Sequence, residues 1–223
     1  MGTKQTWRVA NHCNTYDGYI TKQKTVGEKE GVSELRYSDE SFTKTVSGMI
    51  KSAFGVPTGI LSAGTRAAAE IEFLETVCDP GSRVIGCDLV ENTNSHENII
   101  ICDMHKLEDK FSENEFDIMY SAHVLEHSLN PRAHLSQVKK ICRRGAAMVL
   151  PNMIGMERGP TIGHPLWVKC LTRRKLFTML NVQLWMDDMM GVGFCEVESI
   201  CEVSYKQKHE SIYDYMVCIK WQK

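Results

Sequence analysis

Gly59-Ile60-Leu61-Ser62-Ala63-Gly64-Thr65-Arg66-Ala67-Ala68-Ala69-Glu70, with the residues that follow as far as Leu89, decides the fold. The apolar run Gly59 to Leu61 reads as a strand, Ser62 to Arg66 as a tight turn, and Ala67 to Cys78 as a helix. Asp79-Pro80-Gly81 breaks that helix, and a second strand, Arg83 to Cys87, delivers Asp88 at its C-terminal end. A glycine turn at a helix N-terminus, followed by an acid one βαβ unit later, is how an open α/β sheet binds a nucleoside. Backbone N–H groups and the positive helix end face the anionic part of the ligand, and the acid accepts from ribose hydroxyls. With one glycine of the usual three, the stretch specifies the architecture but leaves the ligand open.

Outward from this unit the alternation continues. A third short strand, Asn98 to Cys102, ends at Asp103 and Met104, and a fourth, Phe116 to Tyr120, runs into Ser121-Ala122-His123-Val124-Leu125-Glu126-His127. Asn130 caps a helix with Pro131 at its first position and Leu135, Val138 and Ile141 on its buried face. Arg143 and Arg144 suit the negative end of that helix, Gly145 suits the residue beyond it, and Ala146 to Leu150 makes a fifth strand stopped by Pro151. Upstream, Ser38 is the expected cap of a helix with the apolar stripe Phe42, Val46, Met49, Ile50 and Ala53, ended by Gly55 and Pro57. Further upstream, a short helix from about Asp17 precedes a polar loop, Thr21 to Ser33. Past Gly155 to Pro165, rich in glycine and proline, Thr172 is the expected cap of a helix carrying Leu176, Phe177 and Leu180. The last two apolar segments, Phe194 to Val203 and Ile212 to Trp221, are joined by Ser204 to Ser211, with no room for a crossover helix, so they pair antiparallel. The expected fold is α/β: a Rossmann-like three-layer sandwich on a mostly parallel sheet closed by an antiparallel C-terminal hairpin.

At 223 residues and a net charge of −2, the chain suits one domain and gives no overall electrostatic case for nucleic acid or an anionic membrane. No apolar run approaches membrane-spanning length, and the N-terminus is polar. The nine cysteines form no CxxC pair, and several fall inside apolar strands, which points to a reducing, cytoplasmic setting.

The segments "FDIMYSAHVLEH", "NP" and "ICRRGAAMVLP", together with "GVGFCEVESI" and the closing hairpin, resemble the class I S-adenosylmethionine-dependent methyltransferases of the small-molecule type. The resemblance covers Val56 to Lys223 and implies seven strands in the order 3-2-1-4-5-7-6, with S-adenosyl-L-methionine as cofactor. It divides the chain into an N-terminal helical cap on the substrate side, residues 1–55, and a methyltransferase domain, residues 56–223, with a substrate-side insertion at 151–190. On this resemblance Gly64 approaches the methionine moiety, with Thr65 and Arg66 beside it in the cofactor turn. Asp88 holds the ribose, Leu89 packs on the adenine, and Asp103 and Met104 meet the adenine edge. Ser121 and His123 lie beside the sulfonium and the acceptor entrance. His123, His127 and His164 are the candidates for a general base. The expected reaction is O-methylation of a small molecule or glycan acceptor.

The turn departs from the family pattern, because Ser62 stands where an acid commonly anchors the cofactor amino group, and Arg66 and Ala68 replace two glycines. Arg66 is read either as an i,i+4 ion pair with Glu70 or as a fork for the cofactor carboxylate. Three rival readings accompany the main one: a cofactor-free scaffold or partner subunit, a nicotinamide-dependent oxidoreductase, and a zinc site at His123-Val124-Leu125-Glu126-His127, which fits H-x-x-E-H. His105 reads as a surface or loop residue. Lys169, Arg173, Arg174 and Lys175 form a basic patch read as a solvated helix face.

Overall fold

The structure is a computed structural model, and it describes residues 7–9, 16–29, 34–65, 67–90, 96–151, 166–168, 178–207 and 210–222. In chain order the elements are β1 (Trp7–Val9), α1 (Tyr16–Lys29), α2 (Glu34–Tyr37), α3 (Glu40–Phe54), β2 (Gly59–Ala63), α4 (Ala68–Val77), β3 (Arg83–Asp88), β4 (Ile99–Ile101) and β5 (Phe116–Ala122). They continue with α5 (Pro131–Ile141), β6 (Cys142–Pro151), β7 (Leu166–Val168), α6 (Met179–Met190), β8 (Cys195–Gln207) and β9 (Glu210–Trp221). Seven strands form one sheet in the order β4-β3-β2-β5-β6-β9-β8. The first five are parallel neighbours, and β9 runs antiparallel to both β6 and β8. Counted within this sheet alone, the order is the expected 3-2-1-4-5-7-6.

Side chains alternate across the sheet and divide the core in two. On one face Leu61, Met119, Met148 and Ile219 meet α5 and α6 through Leu135, Val138, Trp185 and Met186. On the other face Ile60, Ile118, Val149 and Met216 meet α3 and α4 through Phe42, Val46, Ile50, Ile71 and Leu74. Strand β2 is buried at every position, which explains its unbroken apolar run. The caps follow local chemistry. Asn130 accepts from Ala133 N, with Pro131 at the first helical position, and Gly55, at φ 69°, closes α3.

Several expectations shift. The cap of α3 is Asp39, which accepts from the backbone N–H groups of Ser41 and Phe42, and not Ser38. Helix α1 continues through Lys29 where a loop was expected. Arg143, Arg144 and Gly145 do not end α5 but open β6. Arg143 Nε donates to Asp117 Oδ1 at 2.7 Å, and Arg144 donates to the Phe54 carbonyl. A Cβ at Gly145 would collide with the Ile219 carbonyl and press on the Phe54 ring, so the glycine lets β6 and β9 approach. Both hairpin strands are longer than expected, running to Gln207 and from Glu210. The helix expected from Thr172 falls largely outside the described residues, and α6 is capped by Thr178, whose hydroxyl accepts from Asn181 N.

Candidate active site at the carboxyl edge of the sheet

The registers Ala63↔Cys87, Ala63↔Ser121 and Asp88↔Ile101 align the C-terminal ends of β2, β3, β4 and β5. The sheet reverses direction of growth at β2, and ligands of open α/β sheets bind at this edge. The turn after β2 fits a closely approaching ligand. Gly64 has φ +75°, and a Cβ there would run into the Val124 side chain. The N–H groups of Gly64 and Thr65 donate to the Cys87 carbonyl at 2.7 and 3.0 Å, which ties the turn to the end of β3. Ala67 is the N-cap of α4 and makes no side-chain cap hydrogen bond among the described residues. The Thr65 hydroxyl is fully buried and turns inward, to the Ser62 carbonyl at 3.0 Å and Glu70 Oε1 at 3.1 Å.

Asp88 closes β3 with its carboxylate at the edge, accepting from Val90 N at 3.3 Å, and Leu89 follows half-buried. The Cys102 N–H donates to the Asp88 carbonyl at 2.8 Å and draws the next acid, Asp103, alongside. Asp103 is a hub. Its Oδ1 accepts from the His105 backbone N–H at 2.9 Å and pairs with His105 Nδ1 at 3.1 Å, and its Oδ2 accepts from the Tyr16 hydroxyl of α1. Burial alone would raise this acid, but the His105 and Tyr16 hydrogen bonds outweigh it and hold the carboxyl down at about 2. His105 is thus no surface residue: it is buried, and its other ring nitrogen meets Ser128 Oγ at 2.9 Å. Met104 is buried, and its carbonyl accepts from His134 Nδ1 at 2.8 Å.

At the end of β5, Ser121 is buried within the strand and His123 follows it in a left-handed backbone conformation, φ +58°. The His123 N–H donates to the Val149 carbonyl at 2.9 Å, and Nε2 lies 2.7 Å from Asp214 Oδ2 of β9. Asp214 is 3% exposed and His123 27%, so a buried carboxylate holds a ring that reaches the surface of the cleft. A carboxylate accepts, so Nε2 carries the proton and Nδ1 is left as the basic atom. Beneath them Glu126 is buried, with Oε2 lacking a hydrogen-bond partner among the described residues. Burial pushes its carboxyl up to about 7, opposed by the His123 charge. His123 and His127 do not share an α-helical face, because the chain turns at His123 and makes a short 3₁₀ helix, Leu125–His127. The pattern the zinc reading needed is therefore not formed. His164 and the basic patch from Lys169 to Lys175 lie outside the described residues, as does Arg66.

Two side chains invisible to motif reading complete the picture. Asp214 had one local signal, a lone acid in the apolar run Ile212 to Trp221. Glu70 read as the solvent partner of Arg66, but it is 5% exposed and its carboxylate turns inward. Oε1 accepts from Ser62 Oγ and Thr65 Oγ1, and Oε2 accepts from Tyr37 at 2.5 Å. Tyr37 in turn meets the Tyr120 hydroxyl at 3.4 Å, and Arg36 donates to Tyr205 at 3.4 Å.

Residues 61–150 match the family model described as a methyltransferase domain. No curated protein matches the chain. Among solved structures, the 1,6-didemethyltoxoflavin-N1-methyltransferase of Burkholderia thailandensis, with S-adenosylhomocysteine bound, is similar at a TM-score of 0.64 and 16% identity over 96% of this chain and 92% of that one. A SAM-dependent methyltransferase from Aquifex aeolicus gives a TM-score of 0.55 at 16% identity, covering 91% and 98%. An O-methyltransferase of tomaymycin synthesis from Streptomyces achromogenes gives 0.52 at 13%, covering 94% and 92%. The strand order is that of the Rossmann-like methyltransferase fold these structures share, and residues 61–150 of the chain match the methyltransferase domain family within it.

Proposed function

We propose that this protein is a class I S-adenosylmethionine-dependent methyltransferase that methylates a hydroxyl on a small molecule or sugar, with His123 as general base. The observation that carries the reading is the buried Asp214 carboxylate 2.7 Å from His123 Nε2, which holds the ring and directs Nδ1 outward to receive a proton. The bound cofactor supplies an electrophilic methyl group on a sulfonium. The chain's own residues do the rest: Asp88 and Asp103 hold the nucleoside, Gly64 and the start of α4 admit the amino-acid end, and Ser121 and His123 face the acceptor. Proximity and alignment account for most of the acceleration, with the base adding its share when the nucleophile is a hydroxyl. His123 gains a positive charge as it takes the acceptor proton, and Asp214 stabilises that charge. His127 keeps a structural part, and we assign residues 1–55 and 151–190 to the acceptor side, with His164 a second candidate there. A nucleic-acid acceptor is disfavoured by the charge of −2. No helix among the described residues is long and apolar enough to cross a membrane, and the cysteine thiols support a cytoplasmic setting.

The test is transfer of labelled methyl groups from S-adenosylmethionine into hydroxyl-bearing extract fractions, repeated with Asp214→Asn. On the acceptor so found, the variant should lose roughly 100-fold or more in kcat while the KM for the cofactor holds. An unchanged kcat would remove His123 and Asp214 from the chemistry.

A further inference from the structure

The turn that should anchor the cofactor's amino-acid end carries Ser62 at the strand-end position, with no carboxylate of its own. A carboxylate is nevertheless present directly underneath. Glu70, in the first turn of α4, sends its side chain back below Gly64, and three hydroxyls converge on it, from Ser62, Thr65 and Tyr37. Ser62 and Thr65 are fully buried, and Tyr37 is 8% exposed. The neighbouring side chains of α4, Ile71 and Leu74, are fully buried hydrophobics, so this carboxylate is an expensive occupant of its layer. Three donors and the positive end of α4 reduce that cost without cancelling it, and burial still holds the Glu70 carboxyl above its ordinary range. The Arg36 guanidinium lies close enough to act on Glu70 by charge.

We propose that Glu70 is a cofactor-positioning residue. On the cofactor reading above, it grips Ser62 and Thr65, holds the single-glycine turn in shape, and presents an acceptor's negative potential to the α-ammonium group of S-adenosylmethionine. Two features separate this from packing. The hydrogen bonds run to both sides of Gly64, whose left-handed conformation and contact with Val124 exclude a side chain. A buried charge also acts across a low-dielectric layer, where its field is weakly screened. The inference is independent of the acceptor and of which atom is methylated.

The experiment is calorimetric titration of the full chain with S-adenosylhomocysteine and with 5′-methylthioadenosine, which lacks the amino-acid end. Glu70→Gln should weaken S-adenosylhomocysteine by about ten-fold or more and methylthioadenosine by no more than about two-fold. Ser62→Asp on the Glu70→Gln background returns a carboxylate to the strand end and should recover S-adenosylhomocysteine to within about three-fold of wild type. Thr65→Val removes one grip with little change of shape; it should show the same ligand discrimination at smaller amplitude, and it carries the test if the Glu70 variant does not fold. Equal losses for both ligands, wild-type affinity in the variants, or no recovery in the double variant overturns the proposal.

Discussion

Replacing Glu126 by glutamine should remove the loss of stability that the wild-type protein suffers from this site as pH rises from 4 to 8. Glu126 is 2% exposed with Oε2 unpartnered among the described residues, and burial raises its carboxyl from the ordinary 4.5 to about 7. The groups acting on it by charge are His123, Asp214 and Arg36, and their opposing signs leave burial dominant. The folded state therefore holds the proton more tightly than the unfolded chain. Stability from this site is complete below about pH 4.5 and is lost as pH rises through 7. At about 1.36 kcal/mol per pH unit, the ionised side chain costs the fold about 3 kcal/mol at pH 8. Glutamine keeps the shape without the charge. Its amide can leave a donor unmet at about 1–3 kcal/mol, but that penalty does not vary with pH, so the diagnostic is the slope. Urea melts of both proteins at pH 4 and pH 8 measure it. The difference between variant and wild type should grow by about 3 kcal/mol across this interval, or on the order of 5–10 °C in Tm for a chain of this size. Parallel stability profiles would refute a neutral, buried Glu126.

His134 titrates the other way: burial pulls it from 6.5 to about 4, so the unfolded chain binds the extra proton and stability falls as pH drops through that window. Its ring signals in NMR should remain those of neutral imidazole at pH 5.5, and titration near 6.5 would contradict the burial. Asp88→Ala should weaken cofactor binding ten-fold or more, about 1.4 kcal/mol, in calorimetry; unchanged affinity would place the ribose elsewhere. Gly64→Ala meets both a left-handed backbone and the Val124 side chain, at a cost of about 1–2 kcal/mol for the backbone alone. The variant should melt lower and bind cofactor more weakly, and Gly64→Ala with Val124→Ala should recover part of both losses.

The parallel core was legible because its strands are buried on both faces and therefore apolar without interruption, as β2 shows. The hairpin was legible from the short link between its strands, and α5 from Asn130 and Pro131. What failed to show has physical causes. Helix α1 is polar around most of its circumference, so periodicity could not extend it to Lys29. Arg143, Arg144 and Gly145 have the chemistry of a helix end, but β6 claimed them because Asp117 pairs with Arg143 and the neighbouring strand needs Gly145. Gly64, Asp88, Asp103 and Ser121 gather along the carboxyl edge of the sheet, because strand ends fix where they fall. The polar residues behind that edge were illegible. Tyr37 meets Glu70 across 33 positions, His123 meets Asp214 across 91, and Arg36 meets Tyr205 across 169, and no local pattern announces such pairs.

The placement of β9 between β6 and β8 also sets an order of assembly. Among the described residues strand β8 pairs with β9 alone, so it joins the parallel core through β9. The pair must zip together and dock onto β6 as one unit, a contact that spans a long loop of chain and is correspondingly slow to form. Asp88 ends β3 and Asp103 lies two residues past β4, strands that pair earlier along the chain, and these are the acids proposed to hold the nucleoside. His123 waits on that side until the hairpin arrives bearing Asp214. A kinetic intermediate with the parallel strands formed and the hairpin undocked would thus retain the cofactor half of the site while its proton-accepting half was still unmade.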